Sequence, residues 1–127
     1  MKNILKIFIL FLSTMAIAQN PLTQNMEDPQ LEEEAKELTQ KYDDQLGLTE
    51  KQILLFENKV EEYLINAKKI RNSNLKTKKK IAELKLNYAK ESKDMGDILT
   101  NPQLDLYNDL KPKFQPINPV VVKKASN

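Results

Sequence analysis

The chain has 127 residues, with 20 basic and 18 acidic side chains, two glycines and no histidine, cysteine or tryptophan. Without histidine or cysteine it cannot form a Ser-His-Asp triad, a Cys-His pair, or an imidazole or thiolate metal site. With Gly47 and Gly96 as its only glycines, it has neither a P-loop nor a dinucleotide-binding turn. These exclusions favour a binding protein over an enzyme, and no cofactor is expected.

The chain opens with a charged and then apolar segment. Lys2 and Lys6 flank the start of an apolar run over residues 4–12, and Ala16 and Ala18 follow at the spacing that a signal peptidase reads. This run is far shorter than the roughly 20 apolar residues of a transmembrane helix. We therefore predict a signal peptide over residues 1–18, cleaved after Ala18. The expected product is periplasmic, without stable membrane insertion, and secretion is the alternative.

The rest of the chain is neutral overall but polarised along its length. Residues 19–62 hold 12 acids and 4 bases, whereas residues 63–127 hold 6 acids and 14 bases. This segregation favours antiparallel packing of the two halves, or of two copies of the chain. Without cysteines, stability must come from helix packing, to which oligomerisation would contribute.

The first predicted helix follows a polar lead. Residues 19–27 contain a proline and no periodicity, which indicates a flexible segment. Asp28 and Pro29 are typical of an N-cap and a first helical turn. Gly47 supplies a residue that tolerates a left-handed C-terminal conformation. The predicted core stripe is Leu31, Ala35, Leu38, Tyr42 and Leu46.

Leu48, Thr49 and Gln52 predict the start of a second helix. Thr49 can cap the amide of Gln52, the Gln52 side chain can return to the amide of Thr49, and Leu48 can pack on Ile53. The predicted core stripe is Ile53, Phe56, Val60, Tyr63, Leu64, Ala67 and Ile70. Leu54 and Ile65 fall on another face, where they are either scattered surface residues or part of a second contact surface.

Turn-forming residues at 71–74 predict a break before a third helix that begins near residues 75–77. A helical hairpin is the expected result, and one continuous long helix is the alternative. The stripe resumes with Ile81, Leu84, Tyr88 and Met95, and Gly96 weakens the end of this helix.

Leu99, Thr100 and Gln103 repeat the Leu-Thr-x-x-Gln spacing and predict a fourth helix, with Pro102 tolerated in its first turn. Its apolar residues are Leu104, Tyr107 and Leu110. Pro112 is expected to limit this helix.

The chain therefore divides into a helical domain over residues 28–110 and a tail over residues 111–127. Prolines at 112, 116 and 119 predict that the tail is extended or disordered. The valines at 120–122 either dock on a partner or belong to a loose tail.

The doubled motif resembles that of the LTxxQ-motif family, which includes the periplasmic Spy- and CpxP-like chaperones. The matching residues are Leu48, Thr49, Gln52, Leu99, Thr100 and Gln103. The resemblance implies an all-α protomer of four helices with a long central hairpin, paired antiparallel into a cradle-like homodimer. It implies binding of unfolded or partly folded proteins without ATP and, for CpxP-like members, damping of an envelope-stress sensor kinase. Some relatives bind zinc through histidine or cysteine, which this chain lacks, so metal binding is not carried over.

A basic segment without acids extends over residues 63–80. A basic surface beside exposed apolar residues suits an unfolded client, because charge speeds the encounter and weak apolar contacts impose no single shape. The candidate client-binding residues are Leu54, Ile65, Lys68, Lys69, Arg71, Lys76, Lys78, Lys79 and Lys80. The alternatives are a solvated helix-turn region, an acidic lipid or polymer surface, and nucleic acid, which export disfavours.

The two compact acid clusters, Asp43-Asp44 and Glu32-Glu33-Glu34, lack the spacing of a calcium loop. No metal site and no catalytic carboxylate pair are expected from them. The sequence thus predicts an exported, ATP-independent holdase-like chaperone that limits aggregation of envelope proteins. The alternative is a regulatory or structural protein that binds one folded envelope partner, such as a stress-sensor domain.

Overall fold

The computed structural model describes residues 28–117, which form four α-helices. They are α1 (Pro29–Leu46), α2 (Glu50–Arg71), α3 (Thr77–Met95) and α4 (Asn101–Phe114). Residues 28–117 contain no strand, so the all-α prediction is confirmed. The predicted signal peptide, the flexible lead and the valines at 120–122 lie outside the described residues.

Both predicted ends of α1 are confirmed. The Asp28 carboxylate accepts hydrogen bonds from the amides of Gln30 and Leu31, at 3.2 and 3.4 Å, and Pro29 occupies the first turn. At the other end Gly47 has φ 63°, which glycine adopts without the clash of a β-carbon. The helix therefore begins and ends where its capping residues place it.

A turn over residues 72–76 separates α2 from α3, which confirms the hairpin and excludes one continuous helix. The Lys80 ammonium crosses this turn and donates to the carbonyl of Arg71 at 2.8 Å. It thereby satisfies a carbonyl at the end of α2 that has no partner within the helix. The turn is closed by this bond, although α3 itself begins without a side-chain cap at Lys76.

The four helices run up, down, up and down. The Tyr42 ring of α1 contacts the Phe56 ring of α2 at 5.1 Å between centroids. The Tyr63 hydroxyl of α2 donates to Asp94 of α3. The first contact joins the end of α1 to the start of α2, and the second joins the middle of α2 to the end of α3. Consecutive helices are therefore antiparallel.

An aromatic cluster forms the centre of the core. The Tyr42 ring lies 5.0 Å from both the Tyr107 and the Phe114 rings, measured between centroids. The cluster of buried residues that surrounds it is Ala35, Leu38, Tyr42, Leu46, Phe56, Val60, Met95, Leu99 and Tyr107. The buried members on α1, α2 and α4 belong to the predicted stripes, so helical periodicity identified the inward face of these helices.

The fourth helix continues through Pro112 to Phe114, so the predicted limit at Leu110 and the tail boundary at Lys111 are wrong. Proline removes one amide hydrogen bond and costs helix stability. Two contacts oppose that cost: Lys111 is 2% exposed and pairs with Glu91, and the Phe114 ring packs on Tyr42. Tertiary packing of these two side chains accounts for a helix that the local sequence disfavours.

No helix within residues 28–117 has the length and apolar character needed to cross a membrane.

Candidate functional site

Both predicted capping boxes are present in the structure. The amide of Gln52 donates to the Thr49 hydroxyl at 3.2 Å, and the amide of Thr49 donates to Gln52 Oε1 at 3.0 Å. In the second box the corresponding distances are 3.4 and 3.0 Å, between Gln103 and Thr100. Each box satisfies two amides at the start of α2 or α4 that have no partner within the helix.

The side-chain amides of the two boxes also bind each other. Gln52 Nε2 donates to Gln103 Oε1 at 2.7 Å, and Gln103 Nε2 donates to Gln52 Oε1 at 3.2 Å. We call these two residues the glutamine pair. Each glutamine oxygen therefore accepts one bond from its own box and one from the other box.

The remaining hydrogens of the glutamine pair go to the ends of the preceding segments. Gln52 Nε2 also donates to the carbonyl of Ile98 at 3.1 Å, and Gln103 Nε2 to the carbonyl of Leu46 at 3.3 Å. The pair thus joins the end of α1, the start of α2, the α3–α4 connection and the start of α4. The hydrogen-bonding groups of the glutamine pair are thus used inside the fold, which agrees with the structural role predicted for the motif.

The two apolar candidates for client binding differ in exposure. Leu54 is 65% exposed, but Ile65 is only 8% exposed. The expectation that they share an open face is therefore wrong for Ile65. Its helix packs against both α1 and α3, so α2 has covered surface outside its predicted stripe. Leu54 remains a surface residue. It lies about 24 Å along α2 from Ile70, a distance that follows from the rise per residue of an α-helix.

The basic candidates also divide into two groups. Lys68 pairs with Asp28, Lys79 lies 3.3 Å from Glu83, and Lys80 is bound to the Arg71 carbonyl. Lys69, Arg71, Lys76 and Lys78 are exposed and have no ion pair among residues 28–117. The second group supplies the positive charge that is free to attract a partner.

One of these lysines borders a shallow groove on the surface of the hairpin, of about 250 Å³. Ile70 and the 50% exposed Leu86 give it apolar surface, and Lys69 and Lys90 give it positive charge. The hairpin groove is lined by Asn66, Lys69, Ile70, Glu83, Leu86, Asn87 and Lys90. It brings together the two properties that the sequence analysis sought, apolar surface and basic charge.

Leu86 and Lys90 were not predicted as members of this groove. Leu86 lies outside the predicted α3 stripe, and Lys90 lies outside the basic segment. A signal was present, because residues 86 and 90 are one helical turn apart and share a face. That face forms part of a groove only because α2 packs beside it.

A buried polar network lies on the other side of α3. Lys111 Nζ lies 3.2 Å from Glu91 Oε1 and donates to Ser92 Oγ at 2.8 Å and to the Tyr88 carbonyl. Burial lowers the pKa of the Lys111 ammonium, and the Glu91 carboxylate opposes that shift. The three acceptors match the three hydrogens of the ammonium, so the pair is internally satisfied.

Two further groups complete the environment of Glu91. Its Oε1 accepts from the Tyr107 hydroxyl at 3.0 Å and from Gln115 Nε2 at 3.1 Å. The Tyr42 hydroxyl in turn donates to Gln115 Oε1 at 2.8 Å. Burial raises the pKa values of Tyr42 and Tyr107, and the nearby Glu91 carboxylate adds to this. The network fastens the end of α4 to α1 and α3.

The two acid clusters have structural partners. Asp43 Oδ1 accepts from the amide of Leu48 at 2.8 Å, and Glu32 pairs with Lys36 at 2.9 Å. No group of three potential metal-ligating acids is assembled within the described residues.

Comparison of the chain with protein-family models, with curated proteins and with solved structures finds no match.

Proposed function

We propose that the protein is an exported, ATP-independent holdase-like chaperone, and that the hairpin groove is its main client-contact surface. The observation that carries this proposal is the groove itself, whose lining combines Ile70 and the exposed Leu86 with two bases, Lys69 and Lys90, against one acid, Glu83. An unfolded chain offers both apolar and acidic side chains. A shallow surface of this composition can hold such a chain without selecting one folded shape.

The charge distribution supports a role in capture. Arg71, Lys76 and Lys78 are exposed and add positive charge at the turn end of the hairpin. Long-range attraction raises the rate at which acidic segments meet this surface. Weak apolar contacts then retain the segment, and its release requires no nucleotide.

The glutamine pair supports the proposal indirectly. Both motifs begin helices, as the resemblance to the LTxxQ family implies, and their glutamines bind each other. On this basis the protein acts in the periplasm, as a divergent relative of the Spy- and CpxP-like chaperones and as a homodimer. The segregated charge of the chain favours such antiparallel pairing.

The decisive experiment measures light scattering from a chemically denatured client during dilution. The purified chain from Gln19 to Asn127 should suppress scattering at near-stoichiometric ratio without nucleotide. Added salt should weaken suppression, because it screens exposed charge. Absence of suppression across several clients and salt concentrations contradicts the proposal.

Matched variants locate the surface. Leu86→Ser and Lys69→Glu should reduce suppression, whereas Leu106→Ser should not, because Leu106 is an exposed leucine of α4 outside the groove. Leu54→Ser tests the remaining apolar candidate of the sequence analysis. Equal losses in Leu86→Ser and Leu106→Ser would refute the assignment to the groove. Recovery of one stoichiometric folded partner, without activity on unfolded clients, would favour the regulatory alternative.

A further inference from the structure

A second cavity, which we call the C-terminal cleft, shares one lining residue, Asn87, with the hairpin groove. It has a volume of about 180 Å³ and is bounded by α1, α2, α3 and the last described residues, 114–117. Its apolar walls come mainly from Leu38, Leu64, Ala67 and Leu84. Glu34 and Arg71 supply charge.

The size of the cleft limits its occupant. Pockets for drug-sized ligands occupy about 300–1,000 Å³, so the volume of about 180 Å³ suits only one or two aliphatic side chains. Its lining is mixed, with Glu34, Arg71 and Glu91 beside the apolar side chains, and the side-chain oxygen and nitrogen atoms buried among residues 28–117 already have hydrogen-bond partners. The cleft therefore fits the side chains of an extended peptide segment.

The path of the chain identifies that segment. Pro116 and Ile117 themselves line the cleft, so the described part of the chain ends at it. Val120 follows Ile117 by three residues, which span up to about 10 Å when extended. Pro116 and Pro119 restrict their own φ and favour extended backbone in the residues before them.

We propose that the chain's own segment Val120-Val121-Val122 lies along the C-terminal cleft and places the Val121 side chain inside it. The three valines are the apolar side chains nearest to the cleft along the outgoing chain, and burying them removes apolar surface from water. This contact does not rest on the proposed chaperone function, because the cleft shares only Asn87 with the lining of the hairpin groove.

Charge complementarity supports the same occupant. Lys123 and Lys124 directly follow the valines, and the exposed acid Glu34 of α1 lines the cleft. With Val121 in the cleft, the two lysines lie close enough to be attracted by Glu34. The N-terminal lead over residues 19–27 has the opposite charge balance, with Glu27 and no base.

Cysteine cross-linking tests the proposal directly, because the chain has no cysteine of its own. Val121→Cys is combined with Ala67→Cys, which places the second thiol in the cleft wall. The control combines Val121→Cys with Ala89→Cys, which lies beside Tyr88 on α3 but is exposed. Under mild oxidation, the first pair should form its intramolecular disulfide at least about tenfold faster, the bias expected from burial of one valine. Equal rates would overturn the proposal.

Two further measurements separate the other occupants. Mixing the two single-cysteine chains, with Ala67→Cys and with Val121→Cys, should give little cross-linked dimer, and rapid dimer formation would show that a second copy supplies the segment. In nuclear magnetic resonance spectra of chains without cysteine, Val121→Asp should shift the amide signals of Leu84 and Asn87. Unchanged signals there would show that the valines lie elsewhere, and a shift caused instead by deleting residues 19–27 would assign the cleft to the lead.

Discussion

Removal of the Lys111 ammonium should be among the most damaging single changes in the fold. Lys111 is 2% exposed and Glu91 is 3% exposed, so neither charge can be hydrated if its partner is lost. Lys111→Met keeps the length and most of the volume of the side chain but leaves Glu91 without its cation. The Tyr107 and Gln115 donors remain, yet they are neutral.

The expected magnitude follows from the burial of both partners. Breaking one side of a buried ion pair costs about 3–5 kcal/mol. A domain of this size has a free energy of unfolding of about 5–13 kcal/mol. Lys111→Met should therefore remove a large part of the total stability. Removing both charges, with Lys111→Met and Glu91→Gln, should cost less than Lys111→Met alone, because no unpaired charge is then buried.

Urea unfolding followed by circular dichroism measures these differences. Lys113→Met is the matched control, since Lys113 lies two residues further along α4 and is exposed. It should change the free energy of unfolding by no more than about 0.5 kcal/mol. The reasoning is refuted if Lys111→Met costs as little as the control, or if the double variant is as unstable as the sum of its single changes.

Thr49→Ala and Thr100→Ala should each lower the free energy of unfolding by about 1 kcal/mol through loss of an N-cap bond, and unchanged melting of both would contradict the capping role. Gln103→Ala should lower the free energy of unfolding by about 2 kcal/mol, because it removes the bond to the Thr100 amide and the acceptor of Gln52 Nε2. A double variant, Gln52→Ala with Gln103→Ala, should lose less stability than the two single variants added together, and urea unfolding measures the difference. Stability should also fall at alkaline pH. The folded pKa of Tyr42 is raised by burial above the unfolded pKa, so its contribution is complete below about pH 10 and is lost as pH rises further. Tyr42→Phe should reduce the slope of stability against pH in this range by about 1.4 kcal/mol per pH unit, and an unchanged slope would contradict the assignment.

Much of the fold could be predicted from local sequence signals. The apolar stripes of α1 and α2, the cap at Asp28 and the left-handed Gly47 depend on residues within one or two helical turns. The α2–α3 turn follows from the helix-breaking residues at 71–74. These features need no knowledge of what lies across the core, which is why periodicity and capping chemistry were sufficient.

The errors arise where a distant segment decides the outcome. The end of α4 depends on Lys111 reaching Glu91 and on Phe114 reaching Tyr42, and neither contact is visible in the residues around Pro112. Burial of Ile65 likewise depends on the neighbours of its helix. The hairpin groove was only partly anticipated, because Lys69 came from the basic segment whereas Leu86 joins it only after α2 and α3 pack together.

The glutamine pair constrains how the sequence can evolve. A replacement at position 52 deprives the amide at position 103 of a donor and an acceptor, and the converse also holds. Selection on one site therefore acts on the other, although 51 residues separate them. In descendants and ancestors of this chain, the two positions should co-vary: both should hold glutamine, or both should have drifted together to another matched pair.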